Sequence, residues 1–299
     1  MSPQTQPAAS LPSQVGGRLT LPIQTGMDEE IRRLIARLGA DAVRNSDGTE
    51  LPDIVSELAT KVYSTYFVGR GDNAWADAHP DEATRIFLMS DRVAATTDGP
   101  VSIDLMASWF ADQVRPDTGC EVTRWWQAHD RTTGQELPVS AWSIGADGRT
   151  VTVHEALAGH VYTVSFLAVQ TWDPTQMYNY LTNGWDEDPT RVKDKPFDVR
   201  HEATWSHVRA HLSTWLTEHP EVDVVRFTTF FYHFTLVYGS DATERFVDWF
   251  GYSASVSVPA LEALEEEYGY RLTAADYVDA GYYTSPFRVP TRDFSARID

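Results

Sequence analysis

The sequence predicts an α/β protein: an incomplete (β/α)8 TIM-like barrel carrying a small antiparallel β insertion. Three observations predict it. Short apolar runs alternate with segments of helical period, the pattern of strands joined by helical crossovers. The strand-like runs are continuously apolar, as expected where both faces of a parallel sheet are covered. Polar residues gather where those runs end: Arg44 and Asp47, Asp91 and Arg92, and Asp173, with Arg226 inside the fourth run. Barrel enzymes build their sites at the C-terminal ends of several strands.

Taken in order, the first helix is expected over residues 28–38, where Ile31, Leu34, Ile35 and Leu38 fall at helical spacing. Thr25 and Asp28 suit a capping box, and Gly39 suits the stop. Residues 40–43 read as a strand opening into the polar loop 44–49. A second helix is expected over 53–67, because Ile54, Leu58, Val62 and Tyr66 share one face. Residues 85–89 read as a strand, and a helix near 103–113 follows. Short strand-like runs at 124–126, 141–144 and 150–153 are separated by turn signals, so residues 121–154 read as the antiparallel insertion. A β-rich run covers 161–172 and ends in Asp173-Pro174. Helices are expected at 174–181 and 203–218, the latter with Trp205, Val208, Leu212 and Trp215 along one stripe. Residues 222–231 read as a buried strand, with further helices at 242–250, 259–268 and 274–280.

A closed barrel needs eight βα units, and about four can be counted. Residues 18–299 therefore read as the N-terminal portion of a barrel, preceded by a disordered tail at 1–17. No G-x-G-x-x-G follows the first strand, which disfavours a dinucleotide site.

Acidic residues outnumber basic ones, 43 to 24, for a net charge of −19 over 299 residues. A field of that sign repels phosphate backbones, so no nucleic-acid partner is expected. The single cysteine, Cys120, rules out an internal disulfide and fits a reducing, cytoplasmic setting. It sits in a Thr-Gly-Cys-Glu turn and reads as incidental. No run reaches the ~18 apolar residues of a membrane helix, so no membrane partner is expected. Ten tryptophans would suit sugar stacking, although any one of them is first a core residue.

Several motifs are discounted. In His154-Glu-Ala-Leu-Ala-Gly-His160 the histidines are six apart, not the four that let two imidazoles on a helix reach one zinc, so no metal site is expected. Arg70-Gly71-Asp72 reads as a chance tripeptide. The strand-end arginines carry more. Guanidinium forks bind phosphate or sugar hydroxyls through paired donors. For Arg44 an ion pair with Asp47 explains the residue equally well. Arg226 stands in Val224-Val225-Arg226-Phe227, where burying a charge is costly without a partner or ligand. Asp173 either caps the helix after it or faces a cleft, which Asn179 could also reach.

Longer strings point to a family. They are Gly39-Ala-Asp-Ala-Val-Arg-Asn-Ser-Asp-Gly-Thr49, Tyr162-Thr-Val-Ser-Phe-Leu-Ala168, Trp172-Asp-Pro-Thr-Gln-Met-Tyr-Asn179 with Leu181-Thr-Asn183, Asp223-Val-Val-Arg-Phe-Thr-Thr-Phe-Phe-Tyr232, and Val247-Asp-Trp-Phe-Gly251. Together, from about Gly17 onward, the chain resembles the 1,3-β-galactosyl-N-acetylhexosamine phosphorylases, also called lacto-N-biose or galacto-N-biose phosphorylases.

The resemblance implies a distorted βα-barrel and a reaction with no metal or organic cofactor. Inorganic phosphate is the co-substrate and a galactosyl disaccharide the substrate, and the products are α-galactose 1-phosphate and an N-acetylhexosamine. It implies phosphate contacts for Arg44 and Arg226, a sugar contact for Asn179, and an acceptor region near Thr175 and Tyr252, beside which Asp173 stands as a binding candidate from its strand-end place alone. It places the general acid in a segment beyond Asp299, so no catalytic residue is assigned and little turnover is expected of the chain alone. It also leaves room for homodimers of full-length members. Competing readings are a galactosyl-rhamnose phosphorylase, a glycoside hydrolase on the same scaffold, and a non-catalytic sugar-binding remnant.

Overall fold

The computed structural model describes residues 19–45, 50–107, 109, 111–173, 176, 185, 188–227, 236–238, 244–246 and 255–274. In chain order the elements are β1 (Thr20–Ile23), α1 (Asp28–Leu38), β2 (Ala42–Asn45), β3 (Lys61–Tyr66), α2 (Asn73–Ala78), β4 (Arg85–Met89), β5 (Val93–Ala94), β6 (Gly99–Asp104), β7 (Val114–Pro116), α3 (Val122–Trp125), β8 (Gln127–Asp130), β9 (Gln135–Glu136), β10 (Trp142–Ile144), β11 (Thr150–Ala156), β12 (Val161–Gln170), α4 (Glu202–Glu218), β13 (Val224–Phe227), β14 (Leu236–Tyr238), β15 (Glu244–Phe246), β16 (Ser255–Val256) and α5 (Val258–Tyr268). The chain divides into two compact units: Met1–Phe67 with Ala210–Thr228, and Val68–Arg209 with Thr229–Asp299.

The first unit holds a four-stranded parallel sheet in the order β1-β2-β3-β13. Its strands follow one another across the sheet in sequence order, as in successive βα units. One face carries Ile23, Val43 and Val62, which pack against Ile31 and Ile35 of α1 and against Ile54 and Val55. Ile31 is buried because α1 turns one apolar stripe to this face. The helix ends at Gly39, whose left-handed φ of 65° lets its N–H reach the Ile35 carbonyl. Further along, Tyr66 meets Trp215 edge-on at 5.4 Å and Phe227 at 6.0 Å.

The second unit is antiparallel. In its seven-stranded sheet β12 is the centre, pairing with β4, β5, β7 and β8. From Tyr162 to Gln170 every residue of β12 is buried. Trp126, Phe87, Phe166, Ile86 and Leu88 are the largest fully buried side chains of its core. A three-stranded antiparallel sheet, β10-β11-β6, contributes Val151, Val153, Trp142 and Ile103 to the same core.

Several sequence expectations need correction. The helix expected over 53–67 is a single 3-10 turn, Asp53–Glu57, followed by the strand Lys61–Tyr66. Val62 and Tyr66 are four apart, which mimics a helical face, but Val62, Tyr63, Thr65 and Tyr66 are β-branched or aromatic and favour a pleated surface. The strand Thr20–Ile23 was not anticipated. Residues 85–89 and 161–170 are strands as expected but pair antiparallel, so they are not members of the parallel sheet. Continuous apolarity reported burial on both faces rather than strand direction. The helix expected near 103–113 is instead, among the described residues, the end of β6 followed by turns. The strand at 124–126 is the short helix Val122–Trp125. Antiparallel pairing reaches from Arg85 to Gln170, a wider stretch than 121–154. Within the helix expected at 242–250, Glu244–Phe246 pairs as a strand with Leu236–Tyr238, and the rest of that span lies outside the described residues. On α4, Val208 is buried but Trp205 is 51% exposed, so the expected stripe is not a uniform buried face. The tail at 1–17 lies outside the described residues, as do nearly all of the helices expected at 174–181 and 274–280.

Candidate functional site

The parallel sheet has a second face, opposite the one that α1 covers, and it carries the two strand arginines. The register pairs Arg44 with Tyr63 across β2–β3, Tyr63 with Val224 across β3–β13, and Thr65 with Arg226. Partners in register share a face, and residues two apart on a strand share it too. Arg44, Tyr63, Thr65 and Arg226 therefore stand on one face, with Arg44 and Arg226 on the strands that flank β3. Two inter-strand spacings and a two-residue offset put their Cα atoms roughly 12 Å apart. Two guanidinium arms rooted at that separation can close on one anion. Apart from Ala42 and Thr65 this face is half-buried or exposed, unlike the helix-covered one.

Local structure sets each arm at the C-terminal end of its strand. Arg44 donates from Nη1 to the Asn45 carbonyl at 3.1 Å. Asn45, on the opposite face and 4% exposed, ties β2 to β3. Its Oδ1 accepts from the Thr65 N–H at 3.0 Å and its Nδ2 donates to Ser64 Oγ at 3.3 Å. Asp223 anchors the start of β13: its carboxylate accepts from the Val62 N–H at 2.9 Å and from Lys61 Nζ at 2.7 Å. Those donors hold the Asp223 carboxyl below the usual range, the Lys61 hydrogen bond most of all.

Asp173 belongs to the second unit, just past β12, and is 5% exposed. Its Oδ1 accepts from the Gln176 N–H at 3.2 Å, and its own N–H donates to the Asp194 carbonyl at 2.7 Å. Gln176 is a hub that the sequence did not flag. Its Oε1 accepts from Trp172 Nε1 at 2.7 Å and from the Asp194 N–H at 2.5 Å, and its Nε2 donates to the Val192 carbonyl at 2.9 Å. Burial pushes the Asp194 carboxyl up, opposed by the Gly71 N–H at 3.0 Å and by Arg70.

Of the residues singled out from sequence, the structure brings Arg44 and Arg226 to one face and sets Asp173 in a buried hydrogen-bond network with Gln176 and Asp194. Asp47, Thr175, Asn179 and Tyr252 lie outside the described residues. The second unit has a cavity of about 290 Å³ lined in part by Arg85, Asp117, Cys120, Trp125, His201 and Glu262. It holds none of the singled-out residues. Its charges are largely paired: Arg85 Nε donates to Asp117 at 2.5 Å, and Arg124 meets Glu262 at 3.3 Å. Burial pushes the Cys120 thiol up to about 12, so it stays protonated near neutrality. His160 bonds Asp130 at 2.7 Å, while His154 is exposed on β11. Among the described residues no cluster of three or more His, Cys, Asp or Glu is placed to hold a metal ion. No helix among them is long and apolar enough to cross a membrane.

Residues 17–299 match the family model described as the lacto-N-biose phosphorylase N-terminal TIM barrel domain. The chain belongs to the lacto-N-biose phosphorylase family. It is 44% identical over 278 residues to a 1,3-beta-galactosyl-N-acetylhexosamine phosphorylase of Lachnoclostridium phytofermentans, covering 93% of this chain and 38% of that protein. It is 45% identical over 276 residues to a protein of the same description from Bifidobacterium longum, covering 92% of this chain and 36% of the relative. A D-galactosyl-beta-1->4-L-rhamnose phosphorylase of Lachnoclostridium phytofermentans is 36% identical over 269 residues, covering 89% and 37%. The chain thus spans less than two fifths of the length of these curated relatives.

Proposed function

We propose that this chain forms the donor and phosphate side of a site for inverting phosphorolysis of β-1,3-galactosyl-N-acetylhexosamines, lacto-N-biose and galacto-N-biose. The shared face and strand-end placement of Arg44 and Arg226 carry the reading. Phosphate oxygen attacks the galactosyl anomeric carbon from the side opposite the leaving group. The bond to the N-acetylhexosamine oxygen breaks, and a carboxylic acid protonates that oxygen. The products are α-galactose 1-phosphate and the free N-acetylhexosamine. An anionic nucleophile needs no general base, but it does need preorganised cationic donors. Two guanidinium forks offer those donors in pairs. Asn179 and Asp173 would serve the sugar, and Thr175 and Tyr252 the acceptor region. Inorganic phosphate is the co-substrate, no cofactor takes part, and the setting is cytoplasmic.

In this reading the acid is not among residues 1–299, so binding is the property to measure in the chain by itself. The acceptor separates the two kinds of relative, N-acetylhexosamine at 44–45% identity and rhamnose at 36%. Their names share the galactosyl donor, so the donor side is common to both readings.

Calorimetric titration with phosphate and with galactose 1-phosphate tests the proposal. Saturable binding is expected. Arg44→Ala and Arg226→Ala should each weaken phosphate binding about ten- to a hundredfold, the scale of a lost charged hydrogen bond. Unchanged affinity in both variants would sink it. Joined to the C-terminal part of the Bifidobacterium longum relative, the chain should release galactose 1-phosphate from lacto-N-biose only when phosphate is present.

A further inference from the structure

The cavity of about 290 Å³ in the antiparallel unit is charged, and its ion pairs leave charge over. Among the described residues five carboxylates line it, Asp81, Asp117, Glu121, Asp198 and Glu262, against the guanidiniums of Arg85 and Arg124. Both guanidiniums are taken. Arg85 Nε donates to Asp117 at 2.5 Å, and Arg124 lies 3.3 Å from Glu262 and 2.7 Å from Glu265. Arg124 Nε is buried without a partner, but the two glutamates on its terminal nitrogens neutralise the group. Asp81, Glu121 and Asp198 are left over. Asp81 and Glu121 are exposed, as rim residues are, whereas Asp198 is 8% exposed.

Asp198 carries the inference. Its Oδ1 accepts from the Arg200 N–H at 2.9 Å. Its Oδ2 accepts no hydrogen bond among the described residues: His201 Nε2 is 3.9 Å away, beyond hydrogen-bond reach. A buried carboxylate oxygen left without a donor is costly, and a donor arriving through the cavity removes that cost. A cleft lined by one sign of charge, with low-dielectric walls, concentrates ions of the opposite sign. No group of three or more His, Cys, Asp or Glu among the described residues is placed to hold a metal ion, so the cation that fits is organic. Ala83, Trp125 and Val258 supply apolar wall for a carbon chain. The volume stands at the low end for small-molecule sites, about 300–1,000 Å³, and suits a ligand of few atoms. We propose that this cavity binds a small alkyl diamine. One ammonium donates to Asp198 Oδ2, the methylene chain lies against Trp125 and Val258, and the second ammonium faces Asp81 and Glu121. The inference does not depend on the arginine face of the parallel sheet.

The test is 1,4-diaminobutane titrated calorimetrically into the chain at fixed ionic strength. Saturable binding of one molecule per chain is expected. Asp198→Asn should weaken it about ten- to a hundredfold, the scale of a lost charged hydrogen bond. Asp81→Asn combined with Glu121→Gln, both at exposed positions, should weaken it about three- to tenfold. 1,4-Butanediol, the same chain without charge, should not bind, and magnesium chloride at equal ionic strength should not displace the diamine. A diol that binds as tightly as the diamine overturns the inference, because the carboxylates then select nothing. Displacement by magnesium overturns it too, by reducing the attraction to bulk charge. So does unchanged affinity in both variants. Should Asp198→Asn fold poorly, the exposed pair decides alone, and an affinity equal to the parent's sinks the site.

Discussion

The two units bury their sheets differently, and the difference locates the chemistry. In the antiparallel unit both faces of β12 are covered, and Ser165, Phe166, Leu167 and Ala168 are each 0% exposed. Such a sheet is a scaffold with no free face. In the parallel unit, among the described residues, one face is packed, by α1, the 3-10 turn and Trp215 of α4. The other keeps Arg44, Tyr63 and Arg226 half-buried. Stability should therefore be most sensitive in the antiparallel unit, and phosphate binding in the parallel one.

The largest expected effect is in the antiparallel core. Phe166→Ala removes a fully buried ring from the central strand and should cost about 3–5 kcal/mol, read as a fall in the urea midpoint. A loss below about 1 kcal/mol would mean that this face of β12 is not close-packed. Next comes a pH effect in the same unit. Burial, reinforced by Arg131, pushes the imidazole of His129 down to about 4. Above the unfolded value of about 6.5 both states are neutral and nothing changes. Between about 6.5 and about 4 the unfolded chain binds a proton that the folded chain refuses. Stability then drains away as pH falls, by roughly 3 kcal/mol in all. His129→Gln should flatten that part of the pH profile, and parallel profiles for variant and parent would refute the assignment.

How far the sequence anticipated this depended on which signal each element offered. The helix 28–38 and the strand 85–89 were legible to the residue, since a clean period and a compact apolar run have few rivals. About four parallel strands were expected and four are seen, but only those at 40–43 and 222–231 correspond. The other two, β1 and β3, were hidden by shortness and by the four-residue spacing of Val62 and Tyr66. Strands 85–89 and 161–170 stood in for them because an apolar run carries no sign of direction. Arg44 and Arg226 were legible as candidates because a charge inside or just past an apolar run needs a reason. That they share a face was not, since it depends on β3 lying between them in register. For the same reason Tyr63 and Thr65 drew no notice while their segment read as helix. Gln176 and Asn45 gave no signal at all, because their value lies in hydrogen bonds to distant backbone.

The smallest of the three effects sharpens the contrast from the other side. Asn45→Ala strands the Thr65 N–H, which is buried beneath the arginine face, and should cost about 1–3 kcal/mol. Because Asn45 fixes the strand end from which Arg44 projects, phosphate affinity should fall as well. A variant that loses stability but keeps full phosphate affinity would uncouple the tie from the site.

The bond between Val62 and Asp223 joins positions 161 apart. On a ribosome adding about 5–20 residues each second, β3 must wait roughly ten to thirty seconds for its partner. Through that interval its edge presents unpaired backbone groups to anything nearby. The larger part of the antiparallel unit, Val68–Arg209, is synthesised within the same interval, and its early folding would draw in the intervening chain before β13 arrives. Slowing translation between codons 68 and 209 should then tax the parallel sheet alone, as aggregation during synthesis of a protein whose refolding from urea is untouched.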